Sequence, residues 1–395
     1  MWAAASAQAS VPSSFIGVSL EYSGIAPYYD VNPGRFEQLI RGLSPNPVIR
    51  IGGDSSGVTD ADMLTPDWLA MVQDTSDATN ASLIMDLNLR HPELIQDEAS
   101  KLANGLTRIV ALEIGNEPER LSRSGARPPG YSPDDYVAEA RSVVGGLPPI
   151  PLAGPATGAV AWLPAAIGSG MFSTVTLHRY PLSNCTDPPP SIPALLASDR
   201  LNIDRAAPYV RLAHAANQTF RIDELNTVSC QGLEGVSDTQ ASALWAIDSL
   251  FEAARIGADG VNFHMWPGAV PNQLWTTNLT PRPIYGGILM FHKAAPAGSN
   301  VTPLHSTPTV KQWGTSGHVM LLNEGTSTQK VFVRAPFAPS AAVTRLLAAS
   351  IDATTNQIVS LPRIPSNGAG FTIVLPAASA TLLSFAAPRV TPPFG

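Results

Sequence analysis

Two glutamates in this 395-residue chain stand in settings suited to acid–base and nucleophilic chemistry. Glu117 closes the run Leu112-Glu113-Ile114-Gly115-Asn116-Glu117-Pro118, and Glu224 lies in Arg221-Ile222-Asp223-Glu224-Leu225-Asn226. Cleaving a glycosidic bond with retention needs one carboxyl that carries a proton and one that is ionised, about 5 to 5.5 Å apart. Around this pair, other apolar runs also end in polar or aromatic residues: Glu21, Asp54, Asp86, Asn88, Arg90, Asn116, His178, Tyr180, His264 and Trp266. Each alone is better read as a helix cap or an ion-pair partner. Their convergence on one set of run ends is what suggests a sugar-binding crater.

For these residues to meet, the runs must be strands that share one end. Eight runs rich in Val, Ile, Leu and Thr recur: 14–22, 47–53, 82–89, 108–115, 151–156, 173–180, 219–225 and 260–266. Each is followed by a segment of helical periodicity, among them 35–43, 66–76, 92–102, 133–145, 238–256 and 284–293, several opened by Pro or Asp as helix starts are. Eight such units over residues 11–295 predict a (β/α)8 TIM barrel, in which functional groups collect at the C-terminal strand ends. A doubly wound sheet would show a Gly-rich phosphate loop after its first strand, and Leu20-Glu21-Tyr22-Ser23-Gly24 is not one. Beyond the last helix the pattern turns to alternating strands at 318–323, 330–334, 343–349, 371–375 and 380–385, so residues 296–388 are expected to form an antiparallel β-sandwich domain. Strand alternation puts Ile222 and Glu224 on one side and Asp223 on the other, which favours Glu224 as the reactive carboxylate.

Composition narrows the partners. Lys+Arg 24 against Asp+Glu 31, with lysine only at 101, 293, 311 and 330, leaves no basic stripe for nucleic acid. The charge-poor stretch Leu152 to Thr174 is broken by Pro155, Gly158, Pro164, Gly168 and Gly170, which reads as strand, turn and helix rather than a membrane span. Cys185 and Cys230 can form one bridge in an exported chain, with two buried free thiols as the alternative. Ala7-Gln8-Ala9 matches the end of a cleaved leader, and the chain is read as secreted or periplasmic and monomeric. No cofactor or metal is expected, since His178 and His264 lie on separate strands and fit hydrogen-bonding roles better than ligation of an ion with Asp86. Neither a nucleophile elbow nor a Cys/His pairing is present, so serine and cysteine nucleophiles are set aside.

The Asn116-Glu117-Pro118 string resembles the Asn-Glu-Pro signature of clan A glycoside hydrolases. With Val48-Ile49-Arg50-Ile51-Gly52-Gly53-Asp54-Ser55, His178-Arg179-Tyr180-Pro181 and Gly235 to Trp245, nearly the whole chain resembles glycoside hydrolase family 79, which holds β-glucuronidases and heparanases. That resemblance implies Glu117 as acid/base and Glu224 as nucleophile. It further implies Tyr180 as hydrogen-bond donor to the nucleophile, Asn116 on the sugar 2-hydroxyl, and Glu21 and Asp54 on other hydroxyls. Relatives that grip a glucuronate carboxylate use a Tyr and Gly amides just after the nucleophile. Here Ser229 stands in the Tyr position, followed by Cys230, Gln231 and Gly232. The Ser229 hydroxyl and the amides up to Gly232 can cradle a carboxylate, or the pocket is retuned for a neutral or modified sugar. The expectation is therefore a retaining β-glycosidase acting on a glycan or glycoside, first of all an exo-acting β-glucuronidase. Its alternatives are a neutral-sugar enzyme and a non-catalytic carbohydrate-binding barrel. Exo action follows from the charge balance, because gripping a sulfated polymer takes a cationic cleft. Glu117 is expected to gain its proton once the nucleophile is charged or the site loses water.

Overall fold

All eight apolar runs form parallel strands: β1 (Ile16–Leu20), β2 (Val48–Ile51), β3 (Ser82–Leu87), β4 (Ile109–Ile114), β5 (Leu152–Thr157), β6 (Thr174–Arg179), β7 (Thr219–Leu225) and β8 (Gly260–Met265). They close on themselves in sequence order, with β1 paired to both β2 and β8. The structure, a computed structural model, describes residues 10–197, 199–268 and 270–385. The leader-like Ala7-Gln8-Ala9 and the last residues of the expected second domain, 386–388, lie outside the described residues.

The prolines act as helix starts. Pro33, Pro66, Pro133 and Pro283 each open a helix, where an N–H has no intrahelical partner to lose. Side chains cap three of these helices: Asn32 accepts from Arg35 N, Thr65 accepts from Trp68 N, and Ser132 forms a reciprocal box with Asp135. The stretch from 152 is a strand, a 3₁₀ turn (Val160–Trp162) and a short helix (Leu163–Gly168), and among the described residues no helix is long and apolar enough to cross a membrane.

After the last barrel helix (Pro283–Ala294) come β9 (Thr302–Pro303), β10 (Val310–Thr315), β11 (His318–Asn323), β12 (Gln329–Arg334), β13 (Ser340–Leu347), β14 (Gln357–Pro365), β15 (Gly370–Leu375) and β16 (Ser379–Phe385). A six-stranded antiparallel sheet in the order β9-β10-β11-β16-β13-β14 faces the ribbon β12-β15. Val319, Leu321, Val343 and Leu383 from the sheet share one core with Val333, Phe371 and Ile373 from the ribbon. The other face of the sheet packs on the last barrel helix and touches Gln240–Ile256, which is buried almost all round because the helices Pro283–Ala294 and Ile192–Leu196 also flank it. Trp313 stacks on Phe251 with ring centroids 5.2 Å apart and donates to Asp248 at 2.6 Å, while Lys311 pairs with the same Asp248 at 2.8 Å.

Candidate active site

The mouth of the barrel is organised by one cation. Arg50, in the middle of β2 and fully buried, is a charge inside an apolar strand and must therefore be surrounded by partners. Its Nε donates to Glu113 Oε2 at 2.6 Å and stands 3.3 Å from Asp223 Oδ2. Nη1 donates to Ser19 Oγ and to Glu224 Oε2, both at 3.1 Å. Nη2 donates to Asn116 Oδ1 at 2.9 Å and lies 3.5 Å from Asp86 Oδ2. Because the Asn116 oxygen is taken by a guanidinium, its amide NH2 is left as the donor for whatever enters the mouth.

Four carboxyls around one guanidinium cannot all ionise cheaply. Burial pushes the Asp86 and Asp223 carboxyls well above the usual range, against the pull of Arg50. Glu113 is held below the usual range against its burial chiefly by Arg50, while the charge of Glu113 adds to the burial that raises Asp223. Glu224 goes the other way. Burial would raise it, but His178, His264, Arg50 and the Tyr180 hydroxyl hold it far below the usual carboxylate range.

Alternation along β7 does not hold where it matters. Ile222 pairs with Val261 and Leu225 with Phe263, so the strand carries one extra residue between those pairs; a matching slip occurs between Thr176 and His178 on β6. The resulting bulge turns both Asp223 and Glu224 toward Arg50, which is the usual effect of a bulge on side-chain aim. What separates the two is environment: Asp223 is sealed in and its carboxyl is pushed up by burial, whereas the Glu224 carboxyl is held down by its partners and retains some exposure.

The expected residues meet through His178. Its Nδ1 lies 3.3 Å from Glu117 Oε1 and 3.6 Å from Glu224 Oε2. Those two oxygens are thus no more than about 7 Å apart, and closer for any bent arrangement, which includes the retaining separation. Burial pushes the His178 imidazole down, yet Glu224, Asp223 and Glu117 together push it up to about 10, so it stands as a cation between two carboxylates. Tyr180 Oη donates to Glu224 Oε1 at 2.6 Å. Glu117 itself holds φ +43, a left-handed conformation rare outside glycine and typical of residues whose position is functionally constrained. The expectation that Glu117 holds a proton meets a difference here: burial raises its carboxyl, but the His178 hydrogen bond and charge, with Arg120, bring it below the usual range.

Glu21 and Asp54 are placed differently from one another. Glu21 is buried, accepts from the amides of Asp54 at 3.2 Å and Ser55 at 2.7 Å, and lies 3.6 Å from His264 Nε2. The Asp54 side chain is 73% exposed on the rim, 4.0 Å from Arg120 Nη1. Ser229 and Gly232 belong to the loop after β7, and this loop is bound to its neighbours. Leu182–Ser183 pairs in parallel with Val228–Ser229, a disulfide joins Cys185 to Cys230 with Cα atoms 6.0 Å apart, and Asn272 from the loop after β8 donates to Val228 O at 2.5 Å. Cys230, Gln231 and Gly232 have φ of +59, +72 and +79. A Cβ on Gly232 would stand 2.8 Å from Asn272 Oδ1, so only glycine fits there.

The sequence reading gave no role to Arg50, Glu113, Glu119 or Arg120. For the first two the signal was present: an ionisable residue inside Val-Ile-Arg-Ile and Ala-Leu-Glu-Ile has to find buried partners. A separate cleft of about 620 Å³ between the helices Pro33–Arg41 and Pro283–Ala294 and the second sheet contains Arg35 and Arg282 but no paired carboxylates.

No protein-family model matches the chain, and no curated protein matches it by sequence. Solved structures do match by fold. A 4-O-α-L-rhamnosyl-β-D-glucuronidase from Fusarium oxysporum 12S aligns at TM-score 0.79 and 19% identity, covering 97% of this chain and 98% of the other. An arabinofuranosidase aligns at TM-score 0.69 and 12% identity over 96% and 98%. A family 30 endoxylanase from Clostridium papyrosolvens C71 aligns at TM-score 0.62 and 14% identity over 96% and 98%. The chain has the fold of glycoside hydrolases along its whole described length.

Proposed function

We propose that the chain is a retaining β-glycosidase, an exo-acting β-glucuronidase that removes a terminal glucuronic acid. The observation that carries this reading is the contrast within the bulge: Glu224 is kept ionised by Tyr180, His178 and Arg50 and is linked through one imidazole to Glu117. In the first step Glu224 attacks the anomeric carbon as the bond to the aglycone oxygen breaks, and Glu117 delivers a proton to that oxygen. In the second step Glu117 takes a proton from water, the hydroxide attacks the anomeric carbon, and Glu224 departs. The proton that Glu117 takes from water restores it for the next cycle, and His178, 3.3 Å from Glu117, orients its carboxyl.

The glucuronate assignment draws on the loop after β7. Cys230 to Gly232 take three consecutive positive φ values, a tight turn whose backbone amides can serve an anion. The disulfide and the Asn272 hydrogen bond hold that turn in place before any sugar arrives, which lowers the ordering cost of binding. A disulfide on the active face also fits an oxidising compartment, and we assign the chain to the secreted or periplasmic space as a monomer. Scarce lysine favours trimming of a chain end over cutting of a sulfated polymer.

Hydrolysis of a set of 4-nitrophenyl β-glycosides tests the reading. The glucuronide should be turned over far faster than the glucoside. A faster glucoside would move the assignment to a neutral sugar, and no turnover of any member would leave a carbohydrate-binding barrel. Tyr180→Phe carries a further expectation. Losing the donor raises the Glu224 carboxyl, so the acidic limb of the pH profile of kcat/KM should move to higher pH, with kcat falling about 10- to 100-fold. A profile with an unmoved acidic limb would separate Tyr180 from the nucleophile.

A further inference from the structure

Both oxygens of Glu117 are occupied by cationic donors. Oε1 faces the buried His178, and Oε2 is bonded by Nη1 of Arg120. An acid catalyst must hold its proton about 2.6 to 3.2 Å from the leaving oxygen. Oε1 is turned toward the barrel interior by its histidine, so Oε2 is the oxygen available to an aglycone, and it is the one Arg120 covers. That cover can be moved. The Arg120 side chain is 55% exposed and hangs from the one-turn helix Pro118–Arg120, and half-exposed ion pairs are weak. Asp54 Oδ1, from the loop after β2, stands 4.0 Å from the same nitrogen.

We propose that Arg120 is a positioning residue with two stations: it holds Glu117 in the free protein and passes to Asp54 when an aglycone enters, so that Glu117 becomes an acid only in the complex. The proposal rests on the glycosidase reading above and adds what that reading lacks, a reason for Glu117 to change state. Other charges face Glu117 from every side, and none can make the same move. His178 on β6 is buried, and Glu224 on β7 is tied to Tyr180 and Arg50. Arg50 on β2 reaches the loop only through Asn116. Glu119 is fixed by Thr157 Oγ1 at 2.7 Å and the Gly158 amide at 2.6 Å; burial and then Glu117 push its carboxyl up. Asp54, the most exposed of the group, is the one carboxylate within reach that has no other partner among the described residues.

An aglycone that fills the space over Oε2 displaces the guanidinium, and Glu117, relieved of one cation, takes up a proton from solvent. Aglycones too small to displace it leave Glu117 ionised. The device thus selects for the bulk of the leaving group rather than for the sugar.

Four proteins test this: wild type, R120M, D54N and the double variant, each checked for an unchanged melting temperature. Removing the cation raises Glu117, so R120M should shift the basic limb of kcat/KM upward by about half a pH unit, and R120K should not. In D54N the arginine has no second station. Its kcat/KM should drop about fivefold further on a 4-methoxyphenyl glycoside, whose leaving group needs a proton, than on a 2,4-dinitrophenyl glycoside, which leaves without one, because a lost sugar contact would lower both alike. Adding R120M to D54N should recover the loss. An unmoved basic limb in R120M, a D54N loss equal on both leaving groups, or a double variant no better than D54N would each overturn the proposal while leaving wild-type hydrolysis, and with it the glycosidase reading, intact. A wild type inactive on every glycoside would take down both.

Discussion

Glu224→Ala is expected to lose about 10⁴-fold or more in kcat on any glycoside that the wild type hydrolyses, and added azide should restore turnover with an α-glycosyl azide as product. The alanine removes the attacking oxygen and leaves a space on the face opposite the leaving group. Azide fills that space and attacks once, so the product carries the inverted anomer, whereas the wild type, attacking twice, returns the β-sugar. Proton NMR of the first-formed anomer checks both. The neighbouring carboxyl provides the control. Burial pushes the Asp223 carboxyl up toward its neutral form, so Asp223→Asn exchanges it for a neutral amide of the same shape and should remain within about tenfold of wild type. If Asp223→Asn were the inactive variant and Glu224→Ala the tolerated one, the assignment along the bulge would have to be reversed. An α-sugar as the wild-type product would replace double displacement by single inversion.

That bulge also marks the limit of what the sequence could reveal. Periodicity located all eight barrel strands to within a few residues, because each is apolar and followed by a helical segment, several of them led by proline or aspartate. It also placed Asn116, Glu117, Tyr180 and Glu224 at strand ends, where the structure joins them through Arg50 and His178. Alternation expects Asp223 to face away from Glu224, but a one-residue slip between β7 and β8 leaves no trace in a string of letters. The charge web was hidden for another reason: Arg50, Asp86, Glu113 and Asp223 come from four strands, and only closure of the barrel tells which carboxyl must keep a proton. In the second sheet, β9, β10 and β14 escaped notice. Nearly all of β14 is exposed or half-exposed and it contains Pro362 and Pro365, so it shows neither burial pattern nor strand composition, as expected at a sheet edge.

Arg50→Met is expected to be the most destabilising single change in the chain, costing about 3 to 5 kcal/mol or preventing folding outright. Methionine fills much of the volume, so the loss comes from charge and not from a cavity. Glu113 and Glu224 would remain buried as anions, and Ser19 Oγ and Asn116 Oδ1 would lose their donor. The dependence on pH identifies this origin. In the wild type Glu113 and Glu224 lie below their unfolded values, so they add stability above an unfolded carboxylate pKa of about 4.3 and lose it as pH falls through their folded values. Without the guanidinium, Glu224 keeps His178, His264 and Tyr180, but Glu113 loses the main counterweight to its burial and rises above that unfolded value, so the variant binds a proton there on folding and gains stability as pH falls. The difference in unfolding free energy between wild type and Arg50→Met, measured in denaturant from pH 8 down to pH 5, should therefore narrow steadily. A gap that stays constant over that range would mean that Arg50 supports the barrel through packing, and a gap under about 1 kcal/mol at pH 8 would place its partners in a far wetter setting than a closed barrel interior provides.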